Sequence, residues 1–306
     1  MRIVSLLPSA TEWLFAMGVG DRVVGVTHEC DHPPEVDGVP AVTRDLLPPG
    51  LSSAEIDAAV ATGIRDQHTI YALDVDTLRA LQPDVVVAQE LCDVCAVPVD
   101  AVASACTLTP PARVVAADPH TLDDLLPAAV ELGRAVDATA ATQALVARLE
   151  DRLAIVAQAV ADRPCPTVAM LEWPDPPWLP GHWAPDMIER AGGVSLFGRS
   201  GAPSRRATFD ELAGVGADVV IAAFCGFDLG ATIARTDEIA QLPAWRSLTD
   251  GARLLALDGS AYVSRPGPRL VDGVEVLAHV LHGVGGTLPA GAVAEWRDGR
   301  WGAPAV

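Results

Sequence analysis

The stretch QELCDVC at residues 89–95 sets Cys92 and Cys95 three positions apart, directly after the apolar run PDVVVA. A Cys-x-x-Cys loop holds two sulfurs close enough to grip one ion, and zinc or an iron–sulfur cluster completes its shell with ligands from elsewhere in the chain. Cys30 and His28 offer a third ligand and Cys225 a fourth. Two other chemistries stay open. A redox pair wants its first thiol at a helix N-terminus, and Glu90 and Asp93 beside Cys92 oppose thiolate formation. Free cysteine also packs as a small hydrophobe, and a single Cys-x-x-Cys is a weaker signal than two such pairs.

Other polar groups gather where apolar runs end. Pro8, Ser9 and Thr11 follow RIVSLL; His28, Glu29, Cys30, Asp31 and His32 follow VVGVT; Gln89 and Glu90 follow PDVVVA. Farther on, TVAMLEW leads to Trp173, Trp178, His182 and Trp183, ADVVIAAF to Cys225, and RLLALDG to Tyr262, Ser264 and Arg265. In parallel α/β sheets ligands sit outside the carboxyl ends of the strands, so these are the residues expected at a site. His28 and His32 serve either a metal or the hydrogen bonds of a turn before Pro33 and Pro34, whereas His279 and His282, on a final helix, read as structural. Trp178 and its neighbours either wall a ligand or fill the interior. Arg265 and Arg269 can reach an anionic group.

The elements that must position these groups alternate along the chain. Apolar runs without alternation are what strands buried on both faces look like, and helical patterns separate them, so parallel sheets covered by helices are expected. Ser9 or Thr11 is placed to cap the first helix, which ends at Gly18 and Gly20. A polar excursion covers 46–71, with a short helix over 53–62. Residues 122–161 read as extended helix broken near Asp137, whose second part is long enough to bridge two lobes. The organisation expected is an N-terminal α/β lobe over 1–120, a linking helical segment over 121–163, a C-terminal α/β lobe over 164–286 and a tail over 287–306. In that tail Asp-Gly between apolar residues suits a small hairpin.

The chain has 306 residues, enough for two lobes with separate cores, and half of them are apolar. Basic residues number 21 against 40 acidic ones, for a net charge of −19, and no lysine occurs. That balance argues against a nucleic-acid groove or an anionic membrane surface. No run reaches the ~18 apolar residues of a membrane span. The opening MRIVSLLPSATEWLF lacks the pattern of a secretory leader, so a cytoplasmic protein with mostly reduced cysteines is expected. The alternative is a secreted receptor read from its mature start, with Cys30, Cys92 or Cys95 in a disulfide.

RIVSLLPSATEWLFAMGVGDRVVGVT followed by CDHPPEV resembles the start of the class III, helical-backbone substrate-binding proteins of ABC importers, and most of all the cobalamin-binding receptors. The likeness continues through LRALQPDVVVA, WPDPPWLPGHWAPDMIERAGG, FDELAGVGADVVIA and SRPGPRLVDGVEVLAHVL. It implies an α/β fold of two Rossmann-like lobes with parallel sheets joined by one long backbone helix, and a ligand held in the cleft between them. It also implies that Trp178 packs on a planar ligand. The chain departs from those receptors at Gln89 and Glu90, where they present an aromatic, and at Glu29, where they present a tyrosine. The glutamate by which the family docks on a permease has its matching place near Cys95 and Ala96, so docking is not carried over.

The function expected is non-covalent capture of a small metal-containing or metal-chelating ligand. The ligand-binding residues expected are Ser9, Glu29, Gln89, Glu90, Trp178, Trp183, Tyr262 and Arg265. Cys30, Cys92, Cys95, Cys225 and His28 are expected at a metal, with zinc, an iron–sulfur cluster or a corrinoid as the group held. The rival is a metal- or cluster-dependent enzyme built on the same scaffold, with Glu29 and Glu90 as its carboxylates. No Ser-His-Asp order, phosphate loop or His-Glu-x-x-His signature supports it.

Overall fold

The computed structural model describes residues 1–65, 70–88 and 112–305, with backbone alone at 64 and 65. Gln89, Glu90, Cys92 and Cys95 lie outside the described residues, as do Cys106 and His68. The chain divides into two compact units, Met1–Pro119 with Asp123–Arg148 and Pro266–Pro268, and His120–Leu122 with Leu149–Arg265 and Arg269–Val306.

The N-terminal unit runs β1 (Ile3–Ser5), α1 (Pro8–Ala16), β2 (Val23–Val26), β3 (Thr43–Asp45), α2 (Ser53–Arg65), β4 (Tyr71–Leu73), α3 (Val75–Leu81), β5 (Val85–Ala88), β6 (Arg113–Ala116) and α4 (Leu122–Ala135). Its sheet has the order β2-β1-β5-β6, parallel throughout. All four residues of β5 are buried, as consecutive valines in a strand covered on both faces should be. The excursion after β2 folds back as a small antiparallel pair, β3 with β4.

Neither Ser9 nor Thr11 caps α1. The cap is Leu7, with no side-chain bond, and the helix opens on Pro8. Proline at the first helical position has a preset φ and no N–H to satisfy, which frees the two hydroxyl residues for the interior. Thr11 Oγ1 donates to Leu7 O at 3.1 Å and lies 2.8 Å from Ser5 Oγ.

Asp137, at φ 55, separates α4 from α5 (Thr139–Val160). The 22 residues of α5 span about 33 Å at ~1.5 Å per residue. The helix contributes residues up to Arg148 to one unit and from Leu149 to the other.

The C-terminal unit continues with β7 (Thr167–Leu171), β8 (Trp173–Pro174), β9 (Pro177–Leu179), α6 (Ala184–Arg190), β10 (Val194–Ser195), β11 (Arg205–Arg206), α7 (Phe209–Leu212), β12 (Val219–Ala222), α8 (Leu229–Ile239), α9 (Pro243–Thr249), β13 (Arg253–Leu257), α10 (Gly259–Tyr262), α11 (Arg269–His282), β14 (Val293–Arg297) and β15 (Arg300–Gly302). The main sheet is ordered β10-β7-β12-β13-β14-β15. Strands β10, β7, β12 and β13 are parallel, while β14 and β15 add antiparallel. Asp298 at φ 51 and Gly299 at φ 79 form the turn of the closing hairpin, the left-handed pair that a two-residue connection between twisted strands requires. Phe224 and Trp245 are buried in the core beside Leu171 and Val220.

Arg152 ties α5 to α11 within this unit. Its Nε donates to Glu275 Oε1 at 2.8 Å, and Nη2 donates to Glu275 Oε2 at 2.6 Å and to Asp272. All three side chains are about one-third exposed, so solvent screens the pair. Arg152→Ala is expected to lower unfolding free energy by ~1–2 kcal/mol in urea titration, and Arg152→Lys to recover less than half, because an ammonium cannot form the two-pronged contact. Equal stability of the three proteins would contradict this role. No helix among the described residues is long and apolar enough to cross a membrane.

Candidate functional site

The C-terminal unit concentrates aromatic and cationic groups just past β7. Strands β11, β9 and β8 form a small antiparallel sheet in which Arg206 stands opposite Trp178 and Trp178 opposite Trp173. Residues directly opposite share a face, so the two indoles and the guanidinium form one row. Phe227 extends it, stacked on Trp173 with ring centroids 5.3 Å apart at 21°. The Arg206 guanidinium lies 5.9 Å from the Trp178 ring centroid and that of Arg235 lies 5.5 Å from the Phe227 ring. The row thus reads guanidinium, indole, indole, phenyl, guanidinium. Each cation over a ring contributes on the order of 0.5–1 kcal/mol where exposed. Arg235 also donates to Glu238 Oε1 and Oε2 at 3.1 Å, which offsets its charge, so the bias toward anions is stronger at the Arg206 end.

Glu172 joins β7 to this sheet. Its N–H donates to Trp178 O at 2.9 Å, and its own carbonyl accepts from Cys225 N at 2.9 Å. The residue as a whole is partly exposed, but burial of its carboxyl dominates and pushes the group up to about 7, against the hydrogen bonds from Ser204 and the Gly181 N–H. Gly181 is required where it stands: a Cβ there would come within 2.2 Å of Ser204 N, so any side chain would push the 202–204 segment away.

His182 follows in the left-handed region at φ 49. Its N–H donates to Ala202 O at 2.6 Å and its carbonyl accepts from Gly201 N at 3.0 Å. The ring is tilted against Trp183 at 5.6 Å and against His120 at 6.2 Å. Burial, and then the neighbouring His120, hold the imidazole below its ordinary value.

Of the residues singled out from the sequence, Trp178 stands in this row. Trp183 does not: it is 7% exposed, and its Nε1 donates to Val263 O at 2.7 Å, which makes it an interior anchor. Tyr262, half-buried at the end of α10, has its hydroxyl pushed up first by burial and then by Asp258 and Asp272. Arg265 and Arg269 both act on the Asp258 carboxyl, which burial nevertheless raises. Cys225 is exposed.

In the N-terminal unit Ser9 is buried in α1 at 5% exposure. Cys30 Sγ lies 3.1 Å from Thr11 Oγ1, and His28 Nδ1 lies 2.7 Å from Thr43 Oγ1 with its ring edge-on to Tyr71 at 5.0 Å. His28 Nε2 is 3.5 Å from Glu29 Oε1. These contacts are those of a hydrogen-bonded turn. Among the described residues no three His, Cys, Asp or Glu side chains converge as a metal shell; Cys92 and Cys95, expected beside Cys30, Cys225 and His28, lie outside those residues. His32 lines an open groove of ≈ 720 Å³ with Glu12, Asp21 and Glu35, whose carboxylates repel anions.

Sequence reasoning passed over Glu172, Arg206, Phe227, Arg235 and the pairing of His120 with His182. A carboxylate immediately after the apolar run TVAML was a usable signal for Glu172, and Arg205-Arg206 was one for a cationic edge. Nothing local links His120 to His182.

A model of the periplasmic binding protein family matches residues 3–250. Among curated proteins none matches the chain. Solved structures similar to it include a periplasmic haem-binding protein from Pseudomonas aeruginosa, at 21% identity and TM-score 0.71, covering 96% of this chain and 97% of that one. The periplasmic vitamin B12-binding protein BtuF of Vibrio cholerae is 19% identical with TM-score 0.66, over 90% of this chain and 94% of that one. A structure described as an ABC-type Fe3+-hydroxamate transport system, from Saccharomonospora viridis, is 21% identical with TM-score 0.63, over 92% and 93%. At these identities the likeness establishes the α/β fold.

Proposed function

We propose, for a chain that belongs to the periplasmic binding protein family, that it captures a planar, carboxylate-bearing metal chelate without covalent chemistry, and that the Arg206–Trp178–Trp173–Phe227–Arg235 row is where the ligand's plane lies. The observation that carries this reading is the row itself, aromatic in the middle and cationic at both ends. Indole and phenyl faces favour a flat conjugated ring, and guanidiniums at the margins favour its carboxylates. Haem has both features, and a haem-binding protein is among the solved structures that share the fold. Cobalamin, bound by another of them, is bulkier and lacks free carboxylates.

With a net charge of −19 the protein as a whole repels such a ligand, so the local arginines must supply the attraction. Glu172, held at about 7, carries less negative charge near neutral pH than an ordinary carboxylate, which weakens its repulsion of an anion. Binding then stabilises the fold by mass action, with no step that makes or breaks a bond in the ligand.

Haemin, haemin dimethyl ester and cyanocobalamin, each titrated by absorption and tryptophan emission, test the reading. Trp178→Ala is expected to weaken haemin binding about tenfold, which corresponds to ~1.4 kcal/mol. Arg206→Ala is expected to weaken haemin more than its dimethyl ester. Absence of haemin binding, or equal affinities of the wild-type and Trp178→Ala proteins, overturns the assignment.

A further inference from the structure

We infer that His120 and His182 form a two-imidazole site for a divalent transition-metal ion in the C-terminal unit, a role that stands whether or not the aromatic row takes a macrocycle. The ring centroids lie 6.2 Å apart at 50°. A metal–nitrogen bond of ~2.0–2.1 Å places each imidazole centroid roughly 3 Å from the ion, so two rings reach one metal when their centroids are up to about 6 Å apart. The observed separation is at that limit, so binding one ion requires the two rings to draw closer than they stand here.

Three further observations favour the pair. His182 Nδ1 is buried and has no hydrogen-bond partner among the described residues. An unsatisfied buried nitrogen costs on the order of 1–3 kcal/mol, and a metal bound there offsets that cost. The backbone under it is over-determined: the left-handed conformation of a non-glycine residue is kept by the Ala202 and Gly201 bonds, a kind of strain that persists where position matters. The segment bearing His120 is tied to the same neighbourhood, because Asp186 Oδ2 accepts from Leu122 N at 3.0 Å and Thr121 packs beside Gly201.

Imidazole donors suit copper, nickel and zinc rather than magnesium or calcium. Among the described residues no third His, Cys, Asp or Glu joins the pair, so water or an incoming ligand completes the shell. That is the pattern of an exchangeable ion, since structural zinc sites close all four positions with protein groups.

The full chain, stripped with a chelator, is titrated with Cu2+ and followed by electron paramagnetic resonance, and with Zn2+ by calorimetry. The expected result is one equivalent of Cu2+ with two coordinated imidazole nitrogens. His120→Asn and His182→Asn should each lower affinity at least tenfold and leave one nitrogen; asparagine is chosen because it tolerates the left-handed backbone at 182. An unchanged nitrogen count and affinity in His120→Asn and His182→Asn overturns the site, as does no metal uptake by the wild type. Should a variant fail to fold, imidazole NMR signals of the wild type decide: Zn2+ must shift those of His120 and His182, and unmoved signals reject the proposal.

Discussion

Glu172→Gln is expected to make the protein more stable above pH 7, by up to about 3 kcal/mol, while leaving it nearly unchanged near pH 4. The carboxyl is raised from 4.5 to about 7, chiefly by burial, so the folded protein holds a proton that the unfolded chain releases. Between pH 4.5 and about 7 the native state therefore binds more protons, and its stability falls as pH rises. Glutamine keeps the shape and the contact to Gly181 N but cannot ionise. Urea unfolding at pH 5 and pH 8 separates the cases: the wild type should lose more stability over that interval than the variant, and parallel losses would show that Glu172 does not titrate there.

Loss of the Glu295 carboxylate is expected to act in the opposite sense. Glu295 in β14 is 4% exposed, and its carboxylate accepts from Arg253 Nε at 3.1 Å, Arg253 Nη2 at 3.2 Å, Arg297 Nη2 at 2.8 Å and Ala305 N at 2.7 Å. Burial alone pushes the group up, but the bonds from Arg253, Arg297 and the Ala305 N–H outweigh it and hold the carboxyl at about 2. Its stabilisation is present above pH 4.5 and lost as pH falls toward 2. Removing one partner of a buried charge cluster costs ~3–5 kcal/mol; because Arg253 and Arg297 still reach solvent, Glu295→Ala is expected to cost about 2–4 kcal/mol. Thermal unfolding at pH 7 measures the loss, and proteolysis should begin in the β14–β15 hairpin. A variant as stable and as protease-resistant as the wild type would reject this account.

The fold was largely legible before any coordinates. PDVVVA, TVAML, ADVVIA and RLLAL are strands because consecutive apolar residues can be buried on both faces only in a covered parallel sheet, and each of these strands is so buried. The short helix after Ser53 and the break at Asp137 were equally readable. The cap of α1 was not, because Ser9 and Thr11 looked like caps while Pro8 had already set the start. Trp183 read in sequence as either a ligand wall or a filler of the interior, and the structure buries it with its indole N–H on Val263 O; no local pattern announces which indole will be buried.

By itself, then, the order of residues determined the α/β class, the parallel strands, the long helix and the closing hairpin, because each depends on periodicity or turn chemistry within a dozen neighbours. Tertiary structure alone decided that Arg206, Trp178, Trp173, Phe227 and Arg235 line up, that Glu172 sits under Gly181, and that His120 meets His182. Those encounters follow from strand register and from which loops cross, and both are set by packing between segments far apart in the chain.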